Sequence, residues 1–149
     1  MKAFRFKLQK VLEWREMQLQ IAQEKLEQLQ RQLDFLNQQE EKILAFYAEA
    51  ECKMLACPVL TGCELQAMAG LKQRTQQQLD KVRVRQIECA ALVADLRGRT
   101  LKARQDHLVL EKLREHRLQE WRYLSARELE STAAELYLAT WTRDAEDEH

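Results

Sequence analysis

One proline decides the layout of this chain. Pro58 is the only proline in 149 residues, and it separates two long stretches that carry no comparable helix breaker. Proline lacks a backbone donor and clashes with the preceding turn, so a helix arriving from the N-terminal side must stop near Ala56. A second helix can begin at once. Thr61-Gly62-Cys63-Glu64 fits a capping box, with Thr61 as N-cap and Glu64 reaching back to the Thr61 amide. A connection of about five residues folds consecutive helices back on each other. The sequence therefore predicts an all-α chain, a long antiparallel two-helix coiled-coil hairpin in a single domain over residues 1–149. Its expected parts are a first helix over about 3–56, a tip at 57–61, a longer second helix over about 62–142 that overhangs the open end, and an acidic tail at 143–149.

The remaining composition excludes the alternatives. Turns need Gly, Pro, Asn and Asp, yet the chain has three glycines (Gly62, Gly70, Gly98) and one asparagine, Asn37. An average chain of this length would carry roughly 10 glycines and 7 prolines. Leu, Gln, Glu, Lys, Arg and Ala dominate, and these residues lose least on entering a helix.

Before the proline the heptad can be counted directly. Leu12, Leu19, Leu26, Leu33, Glu40, Tyr47 and Met54 form one series, and Leu8, Arg15, Ala22, Leu29, Leu36, Ile43 and Ala50 the other. Only Arg15 and Glu40 interrupt the apolar seam, over far more than the three or four heptads that identify a coiled coil. After the proline, Leu65, Met68, Leu79, Val82, Cys89, Val93 and Leu96 continue a looser seam, broken by Lys72, Thr75 and Gln86. Beyond Leu96 the apolar positions shift to Leu101, Leu108, Leu110 and Leu113, which predicts a stutter or local unwinding near Gly98.

The arms are unequal. At 1.5 Å per residue, residues 3–56 make roughly 80 Å of helix and residues 62–142 roughly 120 Å. If the tip lies near residue 60, paired positions sum to about 120, and residues beyond about 118 have no partner within the chain. In that overhang Trp121, Leu124, Leu129, Ala133, Leu136 and Thr140 fall on one stripe, with Tyr137, Leu138 and Trp141 nearby. A lone helix with an uncovered apolar stripe is marginal in water, and Trp and Tyr are frequent interface anchors. Binding to another protein is the expected use; folding back and self-association are the alternatives.

Charge is zero overall but unevenly placed. Residues 1–15 hold five basic side chains against Glu13, and residues 97–127 hold nine against four acids; from Glu128 onward seven acids face Arg143 alone. The register brings the two basic stretches together at the open end, where an acidic partner would offset their repulsion. A merely solvated basic face would look the same in sequence.

No catalytic constellation is visible. A two-helix coil has neither a dry cleft nor a phosphate loop. His107 and His116 lack the i, i+4 spacing of a zinc helix and are expected on the solvated surface. Cys52, Cys57, Cys63 and Cys89 lack a CxxC spacing and are expected as reduced thiols. Arg97-Gly98-Arg99 is a faint RNA-binding hint without interleaved aromatics. The longest apolar runs fall far short of the ~20 residues that span a bilayer, and the N-terminus offers no signal-peptide core. The expectation is a soluble, cytoplasmic, non-enzymatic protein without cofactor, metal, nucleic acid or small-molecule substrate.

Two stretches carry a likeness. Phe4-Arg5-Phe6-Lys7-Leu8-Gln9-Lys10-Val11-Leu12-Glu13-Trp14-Arg15-Glu16 resembles the opening of the FliJ family of flagellar type III export proteins, with its pattern F-x-F-x-L-Q-x-x-L-x-x-R-E. Leu110-Glu111-Lys112-Leu113-Arg114-Glu115-His116-Arg117-Leu118-Gln119-Glu120 resembles the family's second marked stretch. Length, the two-helix plan and the longer C-terminal arm also agree, so the resemblance covers essentially the whole chain. It departs at Ala134, where family members often carry Asp.

The resemblance implies a stalk-like subunit. Its open end would sit in or near the pore of the hexameric export ATPase, with further contacts to the cytoplasmic domain of the export-gate membrane protein and to export chaperones. It further implies a cytoplasmic protein held peripherally at the inner membrane through the export apparatus, and a monomer when alone. The positions carried over are Phe4, Phe6, Leu8, Leu12, Arg15, Glu16, Leu113, Arg114, Arg117 and Glu120, to which the overhang adds Trp121, Leu124, Leu129, Leu136 and Trp141 as partner-binding residues. Arg15, inside the seam, is expected to contact a partner or to pair with Glu111 or Glu115. The equivalent stalk of a virulence-type injectisome and a self-associating structural tether are the alternative readings.

Overall fold

The structure, a computed structural model, describes the backbone of residues 3–147 and the side chains of residues 3–141. Two α-helices, α1 (Gln9–Leu55, 47 residues) and α2 (Gly62–Asp147, 86 residues), pack against each other as a hairpin, and the described residues contain no strand. Two compact units are distinguished. A tip unit comprises residues 18–103, and a terminal unit combines residues 1–17 with 104–149.

In the tip unit, α1 turns Leu19, Ala22, Leu26, Leu29, Leu33, Leu36, Glu40, Ile43, Tyr47, Ala50 and Met54 away from solvent. These are the seam positions read from the heptad. α2 answers with Thr75, Leu79, Val82, Cys89 and Val93, all buried, Val93 to 4 % of its surface and Leu79 to 5 %. Cross-helix bonds fix the register within the unit. The Cys89 thiol points at the Leu29 carbonyl at 3.5 Å, and the Arg83 guanidinium meets the Glu40 carboxylate at 2.9 Å. Paired numbers thus sum to 118 and 123, bracketing the expected value.

Glu40, the polar interruption of the α1 seam, is explained by its neighbours. The Gln86 side-chain amide donates to Glu40 at 2.9 Å and to Asn37 at 3.0 Å, and Arg83 adds an ion pair. These four polar residues of the two facing helices satisfy each other, where an isolated carboxylate in the seam would be costly. Hydrogen bonds from Gln86 and then Arg83 hold the Glu40 carboxyl below its ordinary value.

The expected break near Gly98 does not occur. α2 runs through it, and its less exposed positions recur as Val82, Gln86, Cys89, Val93, Leu96, Thr100, Ala103, His107 and Leu110. The steps alternate four and three without interruption. Small and polar residues occupy the seam here, so a count of apolar residues alone loses the thread. His107 is one of them: its side chain keeps 16 % exposure instead of lying on the solvated surface.

The turn forms as the capping box requires. α1 ends at Leu55, three residues before Pro58. The Glu64 amide donates to the Thr61 hydroxyl at 3.3 Å, and the Thr61 amide donates to the Glu64 carboxylate at 2.7 Å. Both are donors that a helix N-terminus otherwise leaves unpaired.

Two boundaries differ from the expected ones. α1 starts at Gln9 rather than near residue 3, because Ala3-Phe4-Arg5-Phe6-Lys7-Leu8 offers no capping side chain and alternates with a period of two. α2 continues to Asp147, so the acidic segment expected as a separate tail from 143 is helical that far; its side chains, and residues 148–149, lie outside the described residues.

Candidate functional site

The terminal unit holds most of the residues singled out in the sequence, and its geometry follows from the late start of α1. Leu8 and Leu113 line the same groove, and so do Phe4 and Trp121. The segment before α1 is not extended throughout: the Gln9 amide donates to the Phe6 carbonyl at 3.1 Å, so the chain turns between Phe6 and Gln9 before the helix begins. Phe4, ahead of that turn, packs on Trp121 with ring centroids 6.1 Å apart and planes tilted by 55°, an arrangement aromatic quadrupoles favour. Trp121 is consequently half-buried, along with Leu118 and Ser125, and is not part of an unpartnered surface.

The groove has a volume of about 1030 Å³. Phe4 and Phe6 are half-buried while Arg5 and Lys7 between and beyond them are exposed, as a period of two requires. The apolar surfaces of Phe4, Phe6, Leu8, Leu113 and Trp121 are thus bordered by Arg5, Lys7 and Arg117. Arg117 uses one guanidinium nitrogen to hold Glu120 at 3.0 Å, and His116 lies 3.4 Å from the same carboxylate.

Arg15 pairs with neither Glu111 nor Glu115. Its guanidinium donates to Asp106 at 3.1 Å and lies 5.1 Å from the centre of the Trp14 ring. Both partners of the pair are about 38 % exposed, so it serves as a cross-helix clasp inside the terminal unit, just past the buried Leu12. Glu16 and Arg114 are exposed and lie outside the groove.

From Ala126 to Trp141 every side chain is exposed. Leu129, Leu136, Tyr137, Leu138 and Trp141 are among the exposed large hydrophobics, as is Leu124 just before them, with Tyr137 at 71 % and Trp141 at 66 %. They are not confined to the single stripe read from the sequence. Leu138 follows Leu129 by nine residues, two and a half turns, and so lies on the opposite face.

The groove as a unit was missed in the sequence, although its members were named. The missed signal is the period-two run Phe4-Arg5-Phe6-Lys7, which marks non-helical chain with both aromatics on one side. Cys52, Cys57 and Cys63 are exposed and Cys89 is buried. Among the described residues no cluster of His, Cys, Asp and Glu is placed to hold a metal ion, and no helix is long and apolar enough to cross a membrane. Comparison with protein-family models, with curated proteins and with solved structures finds no match to this chain.

Proposed function

We propose that this chain is a soluble, non-enzymatic component of the flagellar type III export apparatus. In this reading its terminal unit binds the hexameric export ATPase and links that ring to the export gate and to export chaperones. The observation that carries it is the exposed apolar surface of α2 between Leu124 and Trp141, present on opposite faces of the helix. A partner that offers one flat groove covers one face of a helix; a partner that surrounds it covers both. A ring with a central pore has the second geometry. The resemblance of the opening and of residues 110–120 to the FliJ family supplies the identity of the ring, and the peripheral association with the inner membrane would follow from it.

The test is binding of the full-length chain to the ATPase encoded in the same genome. Leu136→Ala, Tyr137→Ala and Trp141→Ala combined should weaken binding by tenfold or more, since exposed aromatic anchors dominate such contacts, while helix content changes little. Ring affinity identical to that of the parent chain would sink the proposal. A virulence-type ring in place of the flagellar one would be recognised by which of the two ATPases co-purifies. The same exposed surface also suits a tether that self-associates; sedimentation separates the two, because the stalk reading requires a monomer when alone.

A further inference from the structure

We propose that the groove at the N-terminal segment is a docking site for a linear acidic segment of a partner protein that carries one large apolar side chain among its carboxylates. The two halves of that ligand answer the two halves of the groove. Phe4, Phe6, Leu113 and Trp121 offer an apolar surface, and about 1030 Å³ accommodates a Leu or Phe side chain with flanking chain. Arg5, Lys7 and Arg117 border it. Arginine and lysine have donors and no acceptors, so the ligand must bring acceptors, and carboxylates accept from a guanidinium fork with both oxygens. Among the described residues, the acid paired with this border is Glu120, which engages one nitrogen of Arg117.

Nucleic acid is the weaker fit. Bases need an accessible aromatic face on which to stack, whereas Phe4 and Trp121 already pack on each other. The inference does not rest on ring binding, which was assigned to residues 124–141.

The experiment uses the full-length chain and a fluorescein-labelled peptide with Leu-Phe flanked on each side by three Asp or Glu residues. Its counterpart carries Asn and Gln at those six positions. The acidic peptide should bind at least roughly tenfold more tightly at low ionic strength, and lose that advantage as salt is added. Arg5 and Lys7 are exposed, so the double variant Arg5→Glu/Lys7→Glu keeps the fold, which circular dichroism verifies, and should lower acidic-peptide affinity roughly tenfold. Phe4→Ala should weaken both peptides. Equal binding of the two peptides overturns the proposal. So does an unaffected double variant, or a preference for single-stranded RNA or anionic vesicles over the acidic peptide. The Leu136→Ala/Tyr137→Ala/Trp141→Ala variant should bind the peptide normally, so a failed ring-binding test and a failed groove test are distinguishable.

Discussion

At the scale of single residues, energetic weight follows burial in the seam. Leu79 is buried and Leu92, on the same helix, is 55 % exposed. Leu79→Ala should cost about 2–5 kcal/mol and Leu92→Ala under about 0.5 kcal/mol, measured as the difference in urea denaturation. Glu40 is a different case, because its contribution depends on ionisation. Gln86 and Arg83 bind its charged form, so in the folded chain it titrates below its ordinary value of 4.5. The unfolded chain takes up the proton first. The stabilisation is therefore complete at neutral pH and drains away as pH falls through 4.5 and below. In urea melts at pH 7 and pH 3, Glu40→Gln should be less stable than the parent at pH 7, with the gap narrowing at pH 3. A gap that stays constant would mean that the carboxylate's charge contributes nothing. The position of Glu40 was legible as an exception in the heptad; its partners were not, because Gln86 and Arg83 are identified only once the register between the helices is known.

At the scale of elements, the helices begin and end for local reasons, and these were the most legible part of the chain. Pro58 and the Thr61–Glu64 box needed no tertiary information, and the observed bonds are those the motif requires. Thr61→Ala should destabilise the protein by about 1 kcal/mol, read from thermal or urea melts. Gly98 has the opposite sign. A Cβ added there meets nothing within 4 Å, and the helix passes through it. Gly98→Ala should therefore stabilise the chain by about 0.5–1 kcal/mol. Its apparent role as a break came from counting apolar residues, a count that fails where Thr100, Ala103 and His107 occupy the seam. The start of α1 is hard to read for a related reason: the helical period of the heptad gives way to a segment whose own period is two.

At the scale of the whole molecule, protection from solvent is uneven, and local stability should follow it. Buried residues gather at 75–93 of α2, while side chains 126–141 are all exposed. Backbone amides of 75–93 should exchange with deuterium slowly, near the rate of global unfolding, and those of 126–147 many-fold faster. Uniform protection along α2 would contradict this, and slowing confined to 126–147 on adding the ATPase ring would map the contact directly. The hairpin plan was readable because heptads, breakers and caps are written in short windows. The groove was not, because it depends on how far a non-helical segment reaches along a helix.

The segment before α1 acts as a latch. The Gln9 amide donates to the Phe6 carbonyl at 3.1 Å, so the chain turns between Phe6 and Gln9, and Phe4 on the far side of that turn rests on Trp121. A residue inserted between Phe4 and Leu8 would reshape the turn and lift the ring from its seat. A change of length there should be felt more sharply than most changes of side chain.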